Sequence, residues 1–265
     1  MAQWGDVAIG PLDAEGRPWW ELRCGPWQDA LADVDRVDAV ITDPPYSERT
    51  EDGFRTGCDL QARGLGYDPI TAEWTNALVT RWSAAAGWMI VFGDHISCDW
   101  ARSAMGAAGR YVFPPVPVTK IAAPPRLHAD GPASQSEWIA VSRPRAKAFC
   151  GTWPGIPGWY AMRTVHGRHG VTGAKSVDVM RAIVRDYSRP GDLVCDLCVG
   201  SGTTLLAAVT EGRRAIGAEM DPATFALAVK RLRRGWTPDL FARAPQPASE
   251  ADQRGLFDDG SDAEG

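Results

Sequence analysis

Residues 192–222 read DLVCDLCVGSGTTLLAAVTEGRRAIGAEMDP, and this stretch decides the fold. The apolar run Leu193–Leu197 spells a strand whose polar exit begins at Asp196. Gly200 and Gly202 then make a tight loop into an apolar helical pattern, Thr203–Thr210. A second apolar run, Ala215–Ala218, ends at Glu219, and Asp221-Pro222 supplies an N-cap and first residue for another helix. Glycines at a strand-to-helix turn let a ligand approach the backbone, and the helix N-terminus favours a negative group. An acid about 20 residues on suits the two hydroxyls of a ribose. The unit therefore points to an adenosine-containing cofactor. A ligand-free turn is the plain alternative, and a dinucleotide loop fits less well because the third glycine of GxGxxG falls at Leu205.

Outward from this unit the same alternation continues. Apolar runs at Trp20–Cys24, Val37–Thr42, Trp88–Phe92 and Trp138–Val141 read as strands. Helical patterns cover Thr71–Ala85, Cys98–Ala108, Ser176–Asp186 and Pro222–Arg233. Strands alternating with helices predict an α/β fold, a mostly parallel sheet with helices on both faces. Two segments break the pattern. Ser47–Asp68 is polar and rich in Gly and Arg, and Phe113–Gly173 is rich in Pro, Gly and Trp with one convincing strand. Loops of that length in a domain are usually functional or mobile. The expected organisation is one catalytic domain over 1–236 and a disordered acidic tail over 237–265.

The 265 residues are 45% hydrophobic and 23% charged, ordinary for a soluble domain. No apolar run approaches the roughly 20 residues that cross a bilayer, and the first residues lack the basic-then-apolar pattern of a signal peptide. A cytoplasmic protein with no membrane partner is expected. Cys195 and Cys198 form a CxxC with no second pair to complete a metal site, so no metal is expected. The net charge of −5 sits in residues 247–265, where six acids face Arg254 alone. The body is close to neutral, which leaves local basic clusters free to meet a phosphate backbone.

The second informative stretch is VDAVITDPPYSERT, residues 37–50, in which an apolar run ends in Asp43-Pro44-Pro45-Tyr46. Two adjacent prolines fix two φ angles and remove two donors, a corner that no strand or helix needs. By itself this reads as an Asp-capped turn with a surface tyrosine. Together with GSGTT and GRRAIGAEMDP it resembles the amino-directed DNA methyltransferases that use S-adenosylmethionine. The DPPY corner precedes the Gly-rich loop, the permuted order of the β class of that family. WELRCGPWQDAL, GWMIVFGDH and VHGRHGVTGAKSVDVMRAIVRDYSRPGD extend the resemblance over roughly Trp20 to Arg234, with Phe113–Gly173 only loosely covered.

The resemblance implies a Rossmann-like class I methyltransferase fold with permuted motif order, acting on an exocyclic amine of double-stranded DNA. N6 of adenine is favoured by the DPPY letters, with cytosine N4 the alternative; a non-catalytic relative is a third reading. Asp43 and the Pro44 carbonyl would accept the two amine hydrogens, Pro45 would stiffen the corner, and Tyr46 would stack on a flipped base. Cys24, Trp27, Asp43, Asp196, Leu197, Cys198, Gly200, Gly202, Thr203, Thr204, Glu219 and Met220 would line the cofactor. Glu219 would hold its ribose, and Lys175 would meet its carboxylate. Two departures stand out: Asp-Pro-Phe of the family is Asp196-Leu197-Cys198, and its Gly-Asp is Gly25-Pro26.

Arg49, Arg55, Arg63, Arg143, Arg145, Arg163 and Arg168 are the expected DNA contacts, with residues 150–173 as a candidate target-recognition insert. A single arginine equally suits a solvated face. Gln253-Arg254-Gly255-Leu256-Phe257 resembles the Gln-x-x-Leu-Phe peptides that dock on bacterial sliding clamps. The candidate partners are thus DNA, a second copy of the chain and a clamp.

Overall fold

The computed structural model describes residues 2–48, 69–121, 135–146, 151–163 and 175–235. The run that ends in the proline corner is strand β3, Val37–Thr42, and all its residues but Asp38 are buried. A strand covered on both faces loses the polar–apolar alternation of a half-exposed one, which is why VDAVIT is almost continuously apolar. Ala39 and Ile41 pack into the core on one face of the sheet, and Val40 packs into the core on the other. On the next strand, β4 (Ala86–Gly93), Trp88, Ile90 and Phe92 divide from Met89 and Val91 in the same way.

Nine of ten strands run in the order β1-β2-β10-β9-β3-β4-β7-β6-β8, with β5 beside β7. The others are β1 (Val7–Ile9), β2 (Trp20–Cys24), β5 (Tyr111–Val112), β6 (Val116–Ile121), β7 (Ser136–Arg143), β8 (Tyr160–Arg163), β9 (Leu193–Asp196) and β10 (Arg214–Glu219). The central run β2-β10-β9-β3-β4 is parallel throughout. β7 lies antiparallel between β4 and β6, and β8 returns parallel to β6.

The helices cover both faces. After the short α1 (Trp27–Ala30) come α2 (Ala72–Trp82) and α3 (His95–Ala107), which pack on one face. α4 (Val177–Tyr187), α5 (Thr203–Thr210) and α6 (Pro222–Gly235) pack on the other. Their buried residues keep the period of an amphipathic helix: 75, 78, 79 and 82 in α2, and 225, 228, 229 and 232 in α6. Thr71 caps α2 through its hydroxyl, which accepts from the Trp74 amide at 3.2 Å.

The predicted α/β fold is present, and the strands and helices expected from the sequence appear with ends shifted by a few residues. Phe113–Gly173 departs from the expectation. It contributes β6 and β8 as well as β7. Three prolines at 114, 115 and 117 disguise β6, yet Pro117 sits within the strand opposite Trp138. Part of the stretch expected as a recognition insert is therefore sheet: Tyr160 of β8 donates its hydroxyl proton to Asp186 Oδ2 at 2.6 Å.

β9 leads through α5 to β10 on one side, while its neighbour β3 leads through α2 to β4 on the other. This is the switch point of an open parallel sheet, and it opens a crevice at the carboxyl ends of β9 and β3. Gly217 on β10 keeps that region tight. A Cβ there would stand 2.4 Å from Val199 Cγ2 and 2.7 Å from the Asp196 carbonyl oxygen. Gly217→Ala should therefore lower thermal stability by about 1–3 kcal/mol, measured as a fall in Tm; an unchanged Tm would mean that the loop after β9 yields freely.

Candidate active site

Three carboxylates mark the mouth of the crevice: Asp43 after β3, Asp196 at the end of β9 and Glu219 at the end of β10. The Leu197 amide donates to Thr42 Oγ1 at 3.2 Å, which ties the exits of β9 and β3 together. Downstream of the corner, Asp94 secures the chain. Its Oδ2 accepts from the Ser47 hydroxyl at 2.5 Å and the Ser47 amide at 3.2 Å. Its Oδ1 caps α3 by accepting from the Ile96 and Ser97 amides. The Pro44-Pro45 corner is thus held at both ends, by strand β3 and by this cap.

Asp43 carries the most unusual environment. Its Oδ2 accepts from the Lys175 ammonium at 2.5 Å, while Oδ1 is buried and accepts no hydrogen bond among the described residues. A buried acceptor left open is costly and calls for a ligand or a function. The Lys175 side chain is 6% exposed and also lies 3.3 Å from Glu137 Oε2. Glu137 Oε1 in turn meets Lys120 at 2.7 Å. The Lys175 ammonium stands over the rings of Tyr46 and Phe92 at 5.3 and 5.4 Å, and the Tyr46 hydroxyl lies against both carboxylates. Burial pushes the Asp43 carboxyl up, against the pull of Lys175. Burial works against the Lys175 charge, but the Asp43 and Glu137 carboxylates outweigh it and hold the amine protonated.

At the neighbouring strand end, Asp196 is 1% exposed. Its Oδ1 accepts from the Cys198 amide at 3.1 Å. The Gly-rich turn follows, with Gly200 at φ 53° and Gly202 at φ 84°, both in the left-handed region that favours glycine. No side chain caps the N-terminus of α5. Arg231 of α6 clasps the turn from behind, donating to the Ser201 carbonyl at 3.1 Å and to the Ser201 and Thr203 hydroxyls at 2.8 Å each. Glu219 takes the Gly200 amide on Oε2 at 2.7 Å and the Asp221 amide on Oε1 at 2.9 Å. Met220 beside it is exposed, and its carbonyl accepts from the exposed Trp4 indole at 2.9 Å.

The structure brings together most of the expected site. Cys24 lies in register with Glu219 on adjacent strands, and the Gly25 amide donates to the Glu219 carbonyl at 2.9 Å. Trp27 follows at the start of α1, buried edge-on against Trp74. Leu197, Thr203 and Thr204 are buried, and Cys198 is half-buried. Lys175, expected as a cofactor contact, lies between two protein carboxylates. Arg143 and Arg145 are not beside the corner. Arg143 pairs with Tyr111 near the start of β4, toward the opposite end of the parallel strands, and both guanidinium groups stack on the Tyr111 ring. β7 runs antiparallel to β4, so its last residues lie far from the carboxyl ends of the parallel strands. Arg163 closes β8; Arg49, Arg55, Arg63 and Arg168 lie outside the described residues. Glu137, Lys120, Asp94 and Arg231 were not legible as site residues, for each is an ordinary charge in a strand or helix pattern. Among the described residues no group of three or more His, Cys, Asp or Glu is placed to hold a metal, and no helix is long and apolar enough to cross a membrane.

This architecture is that of the class I S-adenosylmethionine-dependent methyltransferases. Residues 125–230 match the DNA methylase family, in keeping with the resemblance to amino-directed DNA methyltransferases. The chain is 25% identical over 197 residues to YubD of Escherichia coli (strain K12), which is named as a methylase; the match spans 69% of this chain and 76% of that protein. Its fold is similar to that of the M1.HpyAVI–SAM complex, with a TM-score of 0.60 and 22% identity over 80% of this chain and 99% of that one. It is similar to TTHA0409 of Thermus thermophilus, described as a DNA modification methylase, complexed with S-adenosyl-L-methionine (TM-score 0.58, 18% identity, 81% and 93% covered). It is also similar to the cytosine-N4-specific PvuII DNA methyltransferase (TM-score 0.57, 14% identity, 84% and 92% covered). At these identities the structural likeness is one of fold. Together the matches support a DNA methyltransferase.

Burial pushes the Asp196 carboxyl up to about 6, although the Thr204 hydroxyl and the Cys198 amide pull against it. The folded chain then binds this proton more tightly than the unfolded chain. Stability is lost as pH rises through the window between about 4 and 6, and the loss is complete above it. Asp196→Asn should melt higher than the wild type at pH 7.5, by on the order of 2 kcal/mol, with the difference shrinking as pH falls to 4. A difference that does not change with pH would rule out a buried ionised carboxylate as its cause.

Proposed function

We propose that this chain transfers a methyl group from S-adenosylmethionine to the exocyclic amine of a base in double-stranded DNA, with N6 of adenine as the favoured target. The observation that carries this reading is the open Oδ1 of Asp43, a buried acceptor at the carboxyl end of a central strand.

The residues at the crevice fit the cofactor. The uncapped N-terminus of α5 is a place for its carboxylate, which leaves Lys175 to its two protein partners. The turn at Gly200 is open, since a Cβ there would meet nothing within 4 Å. Glu219, at the end of the next strand, is the acid for the ribose. Cys24, Trp27 and Met220 lie around it on the adenine side. When bound, the cofactor supplies a methyl group on a sulfonium, and the C–S electron pair leaves with sulfur as a neutral thioether.

The chain's own part is to hold and sharpen the amine. An exocyclic amine is a poor nucleophile because its lone pair is delocalised into the ring. Asp43 Oδ1 accepts one amine hydrogen and the Pro44 carbonyl the other, which favours a more tetrahedral nitrogen facing the methyl group. The two prolines and the Asp94 cap keep those acceptors fixed. Tyr46 borders the flipped base. The nitrogen becomes cationic as the new N–C bond forms, and Asp43 is the carboxylate beside the proton it must then lose. Arg163 closes β8, and Arg49, Arg55, Arg63, Arg163 and Arg168 are the candidate contacts with double-stranded DNA. Arg143 and Arg145 face elsewhere.

Incubation with labelled cofactor and unmethylated genomic DNA, followed by digestion to nucleosides, should place label on N6-methyladenine. Label on N4-methylcytosine would move the base assignment, and label on neither would overturn the reading. Asp43→Ala should slow transfer by on the order of 10²-fold or more while keeping the affinity for S-adenosylhomocysteine within a few-fold.

The tail peptide Gln253–Phe257 lies outside the described residues, and its letters support a bacterial sliding clamp as a further partner. Deleting it should abolish capture by an immobilised clamp and leave methylation of free DNA unchanged. Equal capture of both forms would end the clamp assignment.

A further inference from the structure

The charges behind the catalytic corner alternate in sign: Lys120 on β6, Glu137 on β7, Lys175 before α4, and Asp43 after β3. Three of the four have side chains at least three-quarters buried, and only Lys120, 28% exposed, reaches toward solvent. A lysine facing a lone carboxylate can settle over both of its oxygens. Here a second carboxylate stands on the other side of the ammonium, at 3.3 Å. Lys175 engages one oxygen of each, and Oδ1 of Asp43 stays open.

We propose that Glu137 is a positioning residue for methyl transfer, holding Lys175 between two carboxylates so that the ammonium covers Oδ2 of Asp43 and leaves Oδ1 for the target amine. Lys120 completes the arrangement by fixing Glu137 and balancing its charge. The inference rests on the reading of Asp43 as the amine acceptor. Each charge has a distinct sign of influence on Asp43: Lys175 favours its ionised form, and Glu137 disfavours it by repulsion and by drawing Lys175 away. The other ionisable groups near Asp43 are the Tyr46 hydroxyl from the corner itself, and Asp196 and Cys198 from the end of β9. Of these, the Tyr46 hydroxyl lies against both carboxylates that Lys175 joins, and the ammonium stands over its ring.

The test uses the full chain and two readouts. In the first, carbon-13 NMR follows the Asp43 carboxyl as pH is varied. Glu137→Gln should move its titration midpoint down, because Lys175 is released toward Asp43. Lys175→Met should move the midpoint up. Lys120→Met leaves both neighbours of Lys175 in place and should shift the midpoint by less than Glu137→Gln does; a larger shift would put control of Lys175 elsewhere and overturn the inference. In the second readout, single-turnover transfer to DNA should fall at least tenfold in Glu137→Gln, with affinity for S-adenosylhomocysteine unchanged within a few-fold and the acid limb of the rate profile moved to lower pH. An Asp43 midpoint that does not move in Glu137→Gln, or moves up, overturns the inference whether or not the protein methylates DNA. A wild-type chain that binds cofactor and labels no base overturns instead the function on which it rests.

Discussion

The ion pair between Lys175 and Asp43 is the constraint on which the site depends. Placing a carboxylate at the buried end of a central strand costs several kcal/mol unless a counter-charge meets it. Here the counter-charge comes from 132 residues further along the chain, just ahead of α4. That contact ties the segment just before α4 to the end of β3, and α4 packs on α5, the helix that opens behind the Gly-rich turn. The position of the Asp43 carboxylate and the position of the Gly-rich turn are thus coupled through one buried ammonium.

The sheet supplies the rest of the coupling. β9 and β3 are adjacent and parallel but feed crossovers in opposite directions, which opens a crevice at their carboxyl ends. Groups carried by the two exits therefore face one opening although 153 residues of sequence position separate Asp43 from Asp196. The permuted order of the two motifs leaves this geometry untouched, because strand adjacency and not chain order brings the exits together. Thr42 and the Leu197 amide make the link directly.

Legibility in the sequence followed burial. VDAVIT, WMIVF and LVCD are apolar runs because both faces of those strands are covered, and they were readable as strands for that reason. The Gly-rich turn was readable because Gly200 and Gly202 occupy positive-φ positions that other residues rarely adopt. β6 was hidden by Pro117, and β1 is three residues long at the sheet edge with Val7 and Ile9 exposed. Charges were the least legible. Glu137 reads as the polar residue of a strand start and Lys175 as a solvated residue before a helix, and only their meeting in space gives them a role. Arg143 and Arg145 were misplaced for the converse reason: nearness in sequence to a strand says nothing of which end of the sheet the strand reverses toward.

The same crevice holds two acids, the half-buried Asp43 and the buried Asp196, whose carboxyls desolvation pushes above the ordinary range. A sequence selected for stability alone would replace either with a neutral residue, since each loses solvation that its partners only partly restore. Their environments differ in a way that suits different tasks. Asp196 is met by a backbone amide and hydroxyls, neutral donors that hold a carboxyl without a full counter-charge. Asp43 is met by an ammonium on one oxygen, with the Tyr46 hydroxyl nearby, and its other oxygen accepts no hydrogen bond among the described residues. The first arrangement builds a fixed polar wall beside the proposed cofactor site. The second keeps a charged acceptor ready on one side only, which is what a pocket needs if it is to grip one hydrogen of an amine and let the nitrogen lone pair turn toward the methyl donor.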